Sequence, residues 1–600
     1  MSQEMRKEYE MKGSVLRRLA AYLHGYEKTL LVVIFLVLII TALELYKPII
    51  IGDAIDLYIN TTGKEGLSLQ EAEALRQKNL NGMLQAGILY LAVLLVIFFC
   101  NMIQTWKLQK MGQSIIYQIR EEVFEHIQTL SMDFFNNTPV GKLVTRVTND
   151  TEALNEMYTT ILVKLFRNCI KIAGYAIVMI RIDAVLAFYS FLFLPPVGVL
   201  IVFFRSLSRK AYRITRNKLT DLNTFLSENL SGMKLIQIFA REKVKYQEFE
   251  SRSLGLYKAY FREVMIFAVF RPLIYIASVL ALATVLYQGS MLTLKGAASI
   301  GTLYIFVSYI SSFFEPIQEL AEQFGTLQSS LASGEKVFSI LGEQPDLKEA
   351  KNPVKKDRFE GKIEFSHVWF AYEGEDYILK DVSFTIEPGE KVAFVGATGA
   401  GKSSILNLIG RYYDIQKGEI RIDGINIRDL DIRGLRSAIG QVQQDVFLFT
   451  GDIKSNIRLR NDEISIEKVK EAACYVHASE FIEKLPLGYD EPVTERGSTL
   501  SAGQRQLLSF ARTLAFDPRI LVMDEATANI DTETEGLIQQ ALEKLMEGRT
   551  TIMVAHRLST IQHADKIIVM HKGQIREEGT HQELLEQDGI YKRLYELQLS

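Results

Sequence analysis

A glycine-rich segment in the second half of the chain carries the clearest chemical signal. Residues 396–404 read GATGAGKSS, which fits the spacing GxxxxGK[ST] of a phosphate-binding loop. The glycines let successive backbone N–H groups face one phosphate chain, while Lys402 adds a positive charge and Ser403 offers a hydroxyl to Mg²⁺. An apolar run precedes the loop and a helical pattern follows it. We therefore predict a nucleotide-phosphate site made by Gly396, Ala397, Thr398, Gly399, Ala400, Gly401, Lys402, Ser403 and Ser404.

Two carboxylates close a second apolar run, ILVMDE at residues 520–525. In proteins with a phosphate-binding loop, an aspartate at the end of such a strand holds the Mg²⁺ shell, and an adjacent glutamate can polarise the attacking water. An Asp-Glu pair on its own is more typical of an exposed strand end, but the upstream loop reverses that interpretation. We predict that Asp524 binds Mg²⁺ and that Glu525 is the general base.

A third motif, LSAGQRQ at residues 500–506, lies between the first two. With it the chain resembles the ATP-binding cassette transporters, specifically exporters with a membrane domain fused ahead of the ATPase domain. The resemblance covers nearly the whole chain, and the motifs follow the family's order and spacing. It implies that Tyr372 stacks on adenine, that Gln444 reaches Mg²⁺ and the attacking water, and that His556 contacts the γ-phosphate.

The resemblance also implies a second ATPase domain. In this family two such domains bind head to tail, and each ATP lies between the phosphate-binding loop of one and the signature of the other. Asp531 would then lie in a dimer-contact loop. The signature residues that would contact the partner's ATP are Leu500, Ser501, Ala502, Gly503 and Gln504.

The signature departs from the family's usual Leu-Ser-Gly-Gly-Gln at Ala502. Glycine permits close approach and unusual φ values, and alanine restricts both. In the family, an altered signature beside an intact glutamate is typical of heterodimers with one degenerate ATP site. We therefore expect a heterodimer with a second half-transporter. The alternative is a homodimer in which the alanine is tolerated.

The first half of the chain contains long uncharged windows that are long enough to cross a membrane as helices. A weaker window at residues 161–180 holds Lys164, Arg167 and Lys171, and we count it because six spans close the topology. Basic residues flanking the spans place both termini in the cytoplasm, and we expect a multi-pass protein of a bacterial plasma membrane. The other windows are 29–46, 83–106, 184–204, 264–294 and 296–314.

The two connections at residues 107–160 and 205–263 are polar but keep a helical period. We expect the spans to continue through them as helices, turn, and return. Segments near residues 134–143 and 221–228 resemble the family's coupling helices, which contact the ATPase domains.

Charged residues inside spans are candidates for function. Glu44, Arg271 and Glu315 are the candidates for a substrate cavity. The two glutamates would favour cationic amphiphiles, whereas Arg271 could equally extend its charge to the membrane surface.

Composition excludes several other classes of protein. The 600 residues carry a net charge of −3, from 68 basic and 71 acidic residues, which argues against a nucleic-acid partner. Three distant cysteines cannot form a disulfide framework or a close-spaced zinc site.

Together these observations predict an α-helical six-span membrane domain with the type IV exporter fold, followed by an α/β P-loop ATPase domain. The expected order is an N-terminal elbow segment 1–28, a membrane domain 29–325, a linker 326–360 and a nucleotide-binding domain 361–600. The expected function is ATP-driven export of hydrophobic or amphipathic compounds, drugs or lipids, with ATP and Mg²⁺ as cofactors and the lipid bilayer as surroundings. The alternatives are homodimeric export of lipid or peptide, and an ATP-gated regulatory membrane subunit, which the intact Glu525 disfavours.

Overall fold

The structure is a computed structural model that describes residues 15–59, 69–345, 347, 349–356, 358–443, 445–524, 532–554 and 561–599. The chain divides into two compact units. The first contains Met1–Gln128 and Val140–Glu343, and the second contains Thr129–Pro139 and Gln344–Ser600. The short segment Thr129–Pro139 thus belongs with the second unit, although the first unit flanks it on both sides in the chain.

The first unit is helical throughout its described residues. One helix has 61 residues and another has 53, so at 1.5 Å per residue they reach about 90 and 80 Å, far beyond the ~30 Å of membrane hydrocarbon. The spans therefore continue past the membrane as helices, as the periodicity of the long connections predicted. The helices are Glu27–Ala54, Ile55–Ile59, Leu69–Thr129, Val140–Thr145, Arg146–Asp150, Thr151–Glu156, Met157–Ile161, Leu162–Ile182, Ala184–Phe191, Leu194–Ser231, Met233–Ile238, Glu242–Leu294 and Ile300–Leu341. Residues 15–21 are also helical.

Five helical segments of the described chain are long and apolar enough to cross a membrane. The weak third window forms the helix Leu162–Ile182, whose 21 residues could also span but include three basic side chains in its first half. The fold therefore agrees with the prediction in its five apolar spans, and the third span remains the polar one.

Local sequence explains how the spans turn. Asp183 alone separates Leu162–Ile182 from the next helix, and its carboxylate accepts hydrogen bonds from the N–H groups of Val185 and Leu186 at 2.9 and 3.0 Å. Such a cap satisfies donors that have no partner inside the helix. The predicted span 184–204 lies within one candidate membrane span, Ala184–Ser231, which has a short break at residues 192–193. Pro195 and Pro196 start a new helix, where proline is well tolerated.

Two further expectations are corrected. The segment 221–228, proposed as a coupling helix, lies inside the long helix Leu194–Ser231. The short helix of that connection is instead Met233–Ile238, which starts after Gly232. The predicted linker 326–360 also begins as helix, because Ile300–Leu341 continues its apolar face through Val337 and Ile340.

The second unit is an α/β domain with a six-stranded sheet in the order β12-β11-β3-β10-β9-β6 and a four-stranded sheet in the order β2-β1-β4-β5. In the six-stranded sheet only β12 is antiparallel to its neighbour. The strands are β1 Ile363–Phe370, β2 Leu379–Ile386, β3 Lys391–Val395, β4 Lys417–Ile422, β5 Ile425–Asn426, β6 Ile439–Val442, β7 Gly451–Asp452, β8 Pro492–Val493, β9 Ile520–Asp524, β10 Thr550–Val554, β11 Lys566–His571 and β12 Gln574–Gly579.

The central parallel strands are almost continuously apolar and buried, as is typical of strands covered on both faces. Their register is the feature that positions the site. Val554 lies opposite Phe394 on one side and Asp524 on the other, so β3, β10 and β9 end at one edge. The helices of this unit are Met132–Asn137, Lys402–Ile409, Ile432–Ser437, Ile453–Arg458, Ile466–Tyr475, Ser479–Ile482, Gly488–Asp490, Glu495–Gly497, Ala502–Ala515, Thr532–Met546, His581–Glu586 and Ile590–Leu599.

Candidate nucleotide site and membrane cavity

The phosphate-binding loop leaves the carboxyl end of β3 and enters the helix Lys402–Ile409. Gly401, immediately before the helix, has φ +100°, and a Cβ at this position would lie 2.6 Å from the side chain of Leu379. Only glycine fits both restraints without strain. Because the helix begins directly after Gly401, its first N–H groups face the loop, which is the arrangement that binds phosphate.

The ammonium group of Lys402 lies over this loop. The side chain is buried, and Nζ donates to the backbone oxygens of Gly396 at 2.6 Å and Ala397 at 3.1 Å. Those carbonyls hold the charge at the mouth of the loop. A bound phosphate chain would meet a lysine that is already in position, and the phosphate-binding role of Lys402 stays a prediction.

The loop forms one wall of a cavity of about 550 Å³. Asp524 lies on the same cavity, as expected from the shared edge of β3 and β9. Mg²⁺ in nucleotide sites keeps several waters and takes one or two carboxylates together with substrate phosphates. The hydroxyl of Ser403 and the carboxylate of Asp524 fit that donor set. The lining residues of the predicted loop are Thr398, Gly399, Ala400, Gly401, Lys402, Ser403 and Ser404.

Three lining residues with polar side chains were not predicted from the sequence: Tyr377, Lys380 and Lys572. Lys572 and Gly573 form the turn between β11 and β12 with φ of +51° and +80°, a pair of positive values typical of tight hairpins. The turn is fastened to the site, because Gly573 N–H donates to Ala400 at 3.2 Å and its carbonyl accepts from Lys380 N–H at 2.8 Å. The Lys-Gly pair between two apolar runs was the available signal.

Tyr372, the predicted adenine platform, lies beside the loop helix. Its hydroxyl is 3.2 Å from Ser404 Oγ and 3.3 Å from Asn407 Nδ2, and its ring packs edge-on against Tyr413. Tyr377, rather than Tyr372, is the aromatic side chain that lines the cavity. The adenine-stacking role of Tyr372 therefore stays a prediction.

The signature forms the start of the helix Ala502–Ala515. Ser501 caps it, with Oγ accepting from Gln504 N–H at 3.2 Å and the Gln504 side chain accepting from Ser501 N–H at 2.9 Å. Ala502 is the first helical residue, is exposed, and has negative φ. Leu500 and Gly503 are buried beneath it. Alanine therefore causes no backbone strain here, contrary to the expectation that it would restrict the φ values needed at this position.

Four predicted site residues, Gln444, Glu525, Asp531 and His556, lie outside the described residues. Their immediate neighbours are informative. Glu525 directly follows Asp524, the end of β9, and His556 comes two positions after Val554, the end of β10. β9 and β10 themselves end at the edge of the sheet where the phosphate-binding loop begins.

The first predicted coupling segment contains the short helix Met132–Asn137, which belongs to the second unit. Asn136 donates its side-chain N–H to the hydroxyl of Tyr413 at 2.7 Å. Burial raises the pKa of Tyr413, and the nearby Tyr372 acts in the same direction. The hydroxyl therefore stays protonated at neutral pH and can accept this bond.

In the first unit, the structure brings together two of the three substrate-cavity candidates. Glu44 and Glu315 line one cavity of about 280 Å³. Arg271 is not among the residues that line it. Its guanidinium instead binds the carboxylate of Glu322 through two hydrogen bonds of 3.1 Å.

Comparison with known proteins agrees with this architecture. The chain matches the family described as ABC transporter transmembrane region over residues 30–317, and the family described as ABC transporter over residues 379–528. A solved structure described as a bacterial Atm1-family ABC exporter with ATP bound has a TM-score of 0.78 and 25% identity, covering 96% of this chain and 98% of that chain.

Two curated relatives extend the comparison. The "Probable multidrug resistance ABC transporter ATP-binding/permease protein YheH" of Bacillus subtilis is 41% identical over 539 residues, 89% of this chain and 80% of that protein. An "ATP-dependent lipid A-core flippase" of Desulfotalea psychrophila is 36% identical over 491 residues, 82% of this chain and 86% of that protein.

A helical membrane unit fused to a unit with a phosphate-binding loop defines an integral membrane protein that couples ATP hydrolysis to transport. The chain belongs to the ABC transporter family, in the exporter type with its ATPase domain after the membrane domain. The predicted family and fold class are thereby confirmed.

Proposed function

We propose that this protein exports hydrophobic or amphipathic compounds, drugs or lipids, by alternating access, as one half of a two-chain transporter. The observation that carries the proposal is the combination of a cavity lined by the phosphate-binding loop with a charged cavity between membrane helices. The first supplies ATP-dependent work, and the second supplies a place for cargo. Multidrug and lipid A-core transport are the activities in the names of its relatives.

The signature motif supports the proposal of a second half-transporter. None of the signature residues lines the nucleotide cavity of this chain. Ser501 and the exposed start of the signature helix are therefore not placed to bind a phosphate in that cavity. A helix N-terminus of this kind suits the phosphates of an ATP held by another chain. Mg²⁺ would be held by Ser403, Asp524 and Gln444, with Glu525 and His556 acting on the attacking water and the γ-phosphate.

We further propose that the partner is a different chain. Because Ala502 has relaxed helical backbone and an exposed methyl, the substitution leaves this chain's own fold intact. It would matter only where the methyl meets the partner's nucleotide. The pair would then have one active site, built on Lys402 and Glu525, and one degenerate site beneath Ala502.

The proposed orientation places both termini in the cytoplasm of a bacterial cell. Arg205, Arg209, Lys210 and Arg213 line one groove on the helix Leu194–Ser231, just beyond its apolar part. Such a concentration of cations is typical of the cytoplasmic side of a span.

The experiment is ATP hydrolysis by the chain purified alone and in lipid, beside Glu525→Gln. Glu586→Gln, on an exposed position of the helix His581–Glu586, is the matched control. We expect little turnover alone, and turnover that Glu525→Gln abolishes once a chain with the usual signature is co-expressed. Robust turnover by the chain alone would establish a homodimer, and absence of turnover with any partner would favour a regulatory subunit.

A further inference from the structure

The membrane cavity of about 280 Å³ is unusual in its charges. Three carboxylates and three cations line it, so the formal charges of these six side chains cancel. Ionisable groups inside a membrane span are costly and mark functional pathways when they face a cavity. The six are Glu44, Glu315, Glu319, Lys47, Arg167 and Lys171.

These groups lie at membrane depth. Lys171 is 11 residues from the end of its helix at Ile182, about 16 Å along the axis, and Glu315 is 15 residues from the start of its helix at Ile300, about 22 Å. The hydrocarbon layer is about 30 Å thick, so with these helix ends at the membrane surface both positions fall within it. The side chain of Glu315 is too short to extend its charge to the membrane surface.

Only some of these charges are paired within the protein. Glu44 and Lys171 form an ion pair at 2.6 Å. Glu319 accepts a hydrogen bond from the buried amide of Asn168 at 2.8 Å.

The remaining charges have both signs. In the described part of the chain, Lys47, Arg167, Glu315 and Glu319 have no ion-pair partner, and Arg167 Nε is buried without a hydrogen bond. An unpaired buried donor costs free energy until a ligand supplies the acceptor. The cavity therefore offers cations for an anionic group and a carboxylate for a cationic group.

We propose that this cavity binds the headgroup of a zwitterionic amphiphile, one that carries a phosphate and an ammonium group. The phosphate would face Arg167 and Lys47, and the ammonium would face Glu315, so each charge of the headgroup meets side chains of opposite sign. A purely cationic cargo, which the two glutamates alone suggested, would leave Arg167 and Lys47 opposed to a like charge. The volume suits a headgroup, with the acyl chain outside the cavity. This inference rests on the proposed export function and specifies its cargo.

The test is binding of matched probes to the purified, nucleotide-free chain in a neutral detergent, measured by native mass spectrometry. The probes are myristoyl lysophosphatidylethanolamine, which is zwitterionic, the anionic myristoyl lysophosphatidylglycerol, and the cationic myristyltrimethylammonium. Free phosphoethanolamine separates recognition of the headgroup from recognition of a lipid. We expect the zwitterionic lysolipid to bind at least about tenfold more tightly than either singly charged probe.

Variants assign the discrimination to the cavity. Arg167→Gln should weaken the zwitterionic lysolipid about tenfold and leave the cationic probe unchanged, while Glu315→Gln should weaken it similarly and leave the anionic probe unchanged. Arg271→Gln is the matched control, because this arginine pairs with Glu322 and does not line the cavity. Equal binding of all three probes by the unaltered chain, or tightest binding of the cationic probe, overturns the inference without relying on any variant. An equal loss in Arg271→Gln overturns it too.

ATP hydrolysis by the same purified chain, measured after addition of the partner chain, distinguishes failure of the proposed cargo class from failure of the proposed export function. Hydrolysis without headgroup discrimination refutes only the cargo class. Discrimination without hydrolysis under any pairing keeps the binding site and refutes the export function.

Discussion

At the scale of single residues, Asp423 shows how one carboxylate organises the entry to the ATPase unit. It is buried and accepts hydrogen bonds from the N–H groups of Glu360, Gly361 and Lys362 and from Lys356 Nζ, all at 2.8–2.9 Å. Burial alone would raise the pKa of Asp423, but these four donors outweigh it and lower the pKa. The ionised form is therefore the one that stabilises the fold.

This gives a prediction for Asp423→Asn. We expect the substitution to destabilise the ATPase unit by about 1–3 kcal/mol at pH 7, because a charge-assisted network is weakened. A depressed folded-state pKa stabilises above the unfolded value and loses that contribution as pH falls through the folded value. The difference in melting temperature between variant and parent should thus shrink below about pH 4. Asp462→Asn, at a carboxylate 90% exposed, should show no such difference.

Ala502 allows a second prediction at the residue scale. Because the φ of Ala502 is already helical, Ala502→Gly should lower the free energy of unfolding by at most about 1 kcal/mol. The melting temperature should therefore stay unchanged or fall slightly. Any gain in ATP hydrolysis must then result from closer contact between the signature and the ATP bound by the partner chain. A large rise in hydrolysis by the chain alone would show that the methyl is the defect, and no change would show that the alanine is tolerated.

At the scale of elements, the short helix Met132–Asn137 follows the long helix Leu69–Thr129 in the chain and contacts the rest of its own unit through the hydrogen bond from Asn136 to Tyr413. We expect Asn136→Ala to reduce stimulation of ATP hydrolysis by cargo several-fold, at nearly unchanged basal hydrolysis, because the contact transmits motion and does not touch ATP. Asn137→Ala is the matched control, since that amide contacts only Asp133 of its own helix. A comparable loss in both variants would contradict the assignment.

At the scale of the whole molecule, the connection at Met233–Ile238 exposes apolar side chains. Ile238 and Phe239 are each 66% exposed, next to Leu235 at 62%. Contiguous exposed apolar groups mark interaction sites in water-facing regions. In the proposed two-chain transporter, the second half-transporter would cover these side chains.

We therefore expect the double substitution Ile238→Ser and Phe239→Ser to weaken assembly of the pair and lower ATP hydrolysis at least about fivefold, since burying two such side chains stabilises by a few kcal/mol. Light scattering after size-exclusion chromatography and a hydrolysis assay measure the two effects. Leu487→Ser, at a similarly exposed leucine of the ATPase unit, is the control. Unchanged assembly would leave this surface to another partner.

The sequence by itself determined whatever depends on local spacing. The phosphate-binding loop, the strands around it, the apolar spans and the family follow from residues close together in the chain, because glycine placement and hydrophobic period act over a few positions. Boundaries that depend on packing were less accurate, as with the helix that extends to Leu341.

Only the tertiary structure decided which distant groups meet. The register of β11 and β3 brings Lys572 beside the phosphate-binding loop, and the turn of Asp183 returns the chain so that spans can pack. Packing of four membrane helices, in turn, places Arg167 with Glu44 and Glu315 and leaves Arg271 apart with Glu322. Helix faces and side-chain partners are set by contacts between segments about fifty or more residues apart, and no local pattern encodes them.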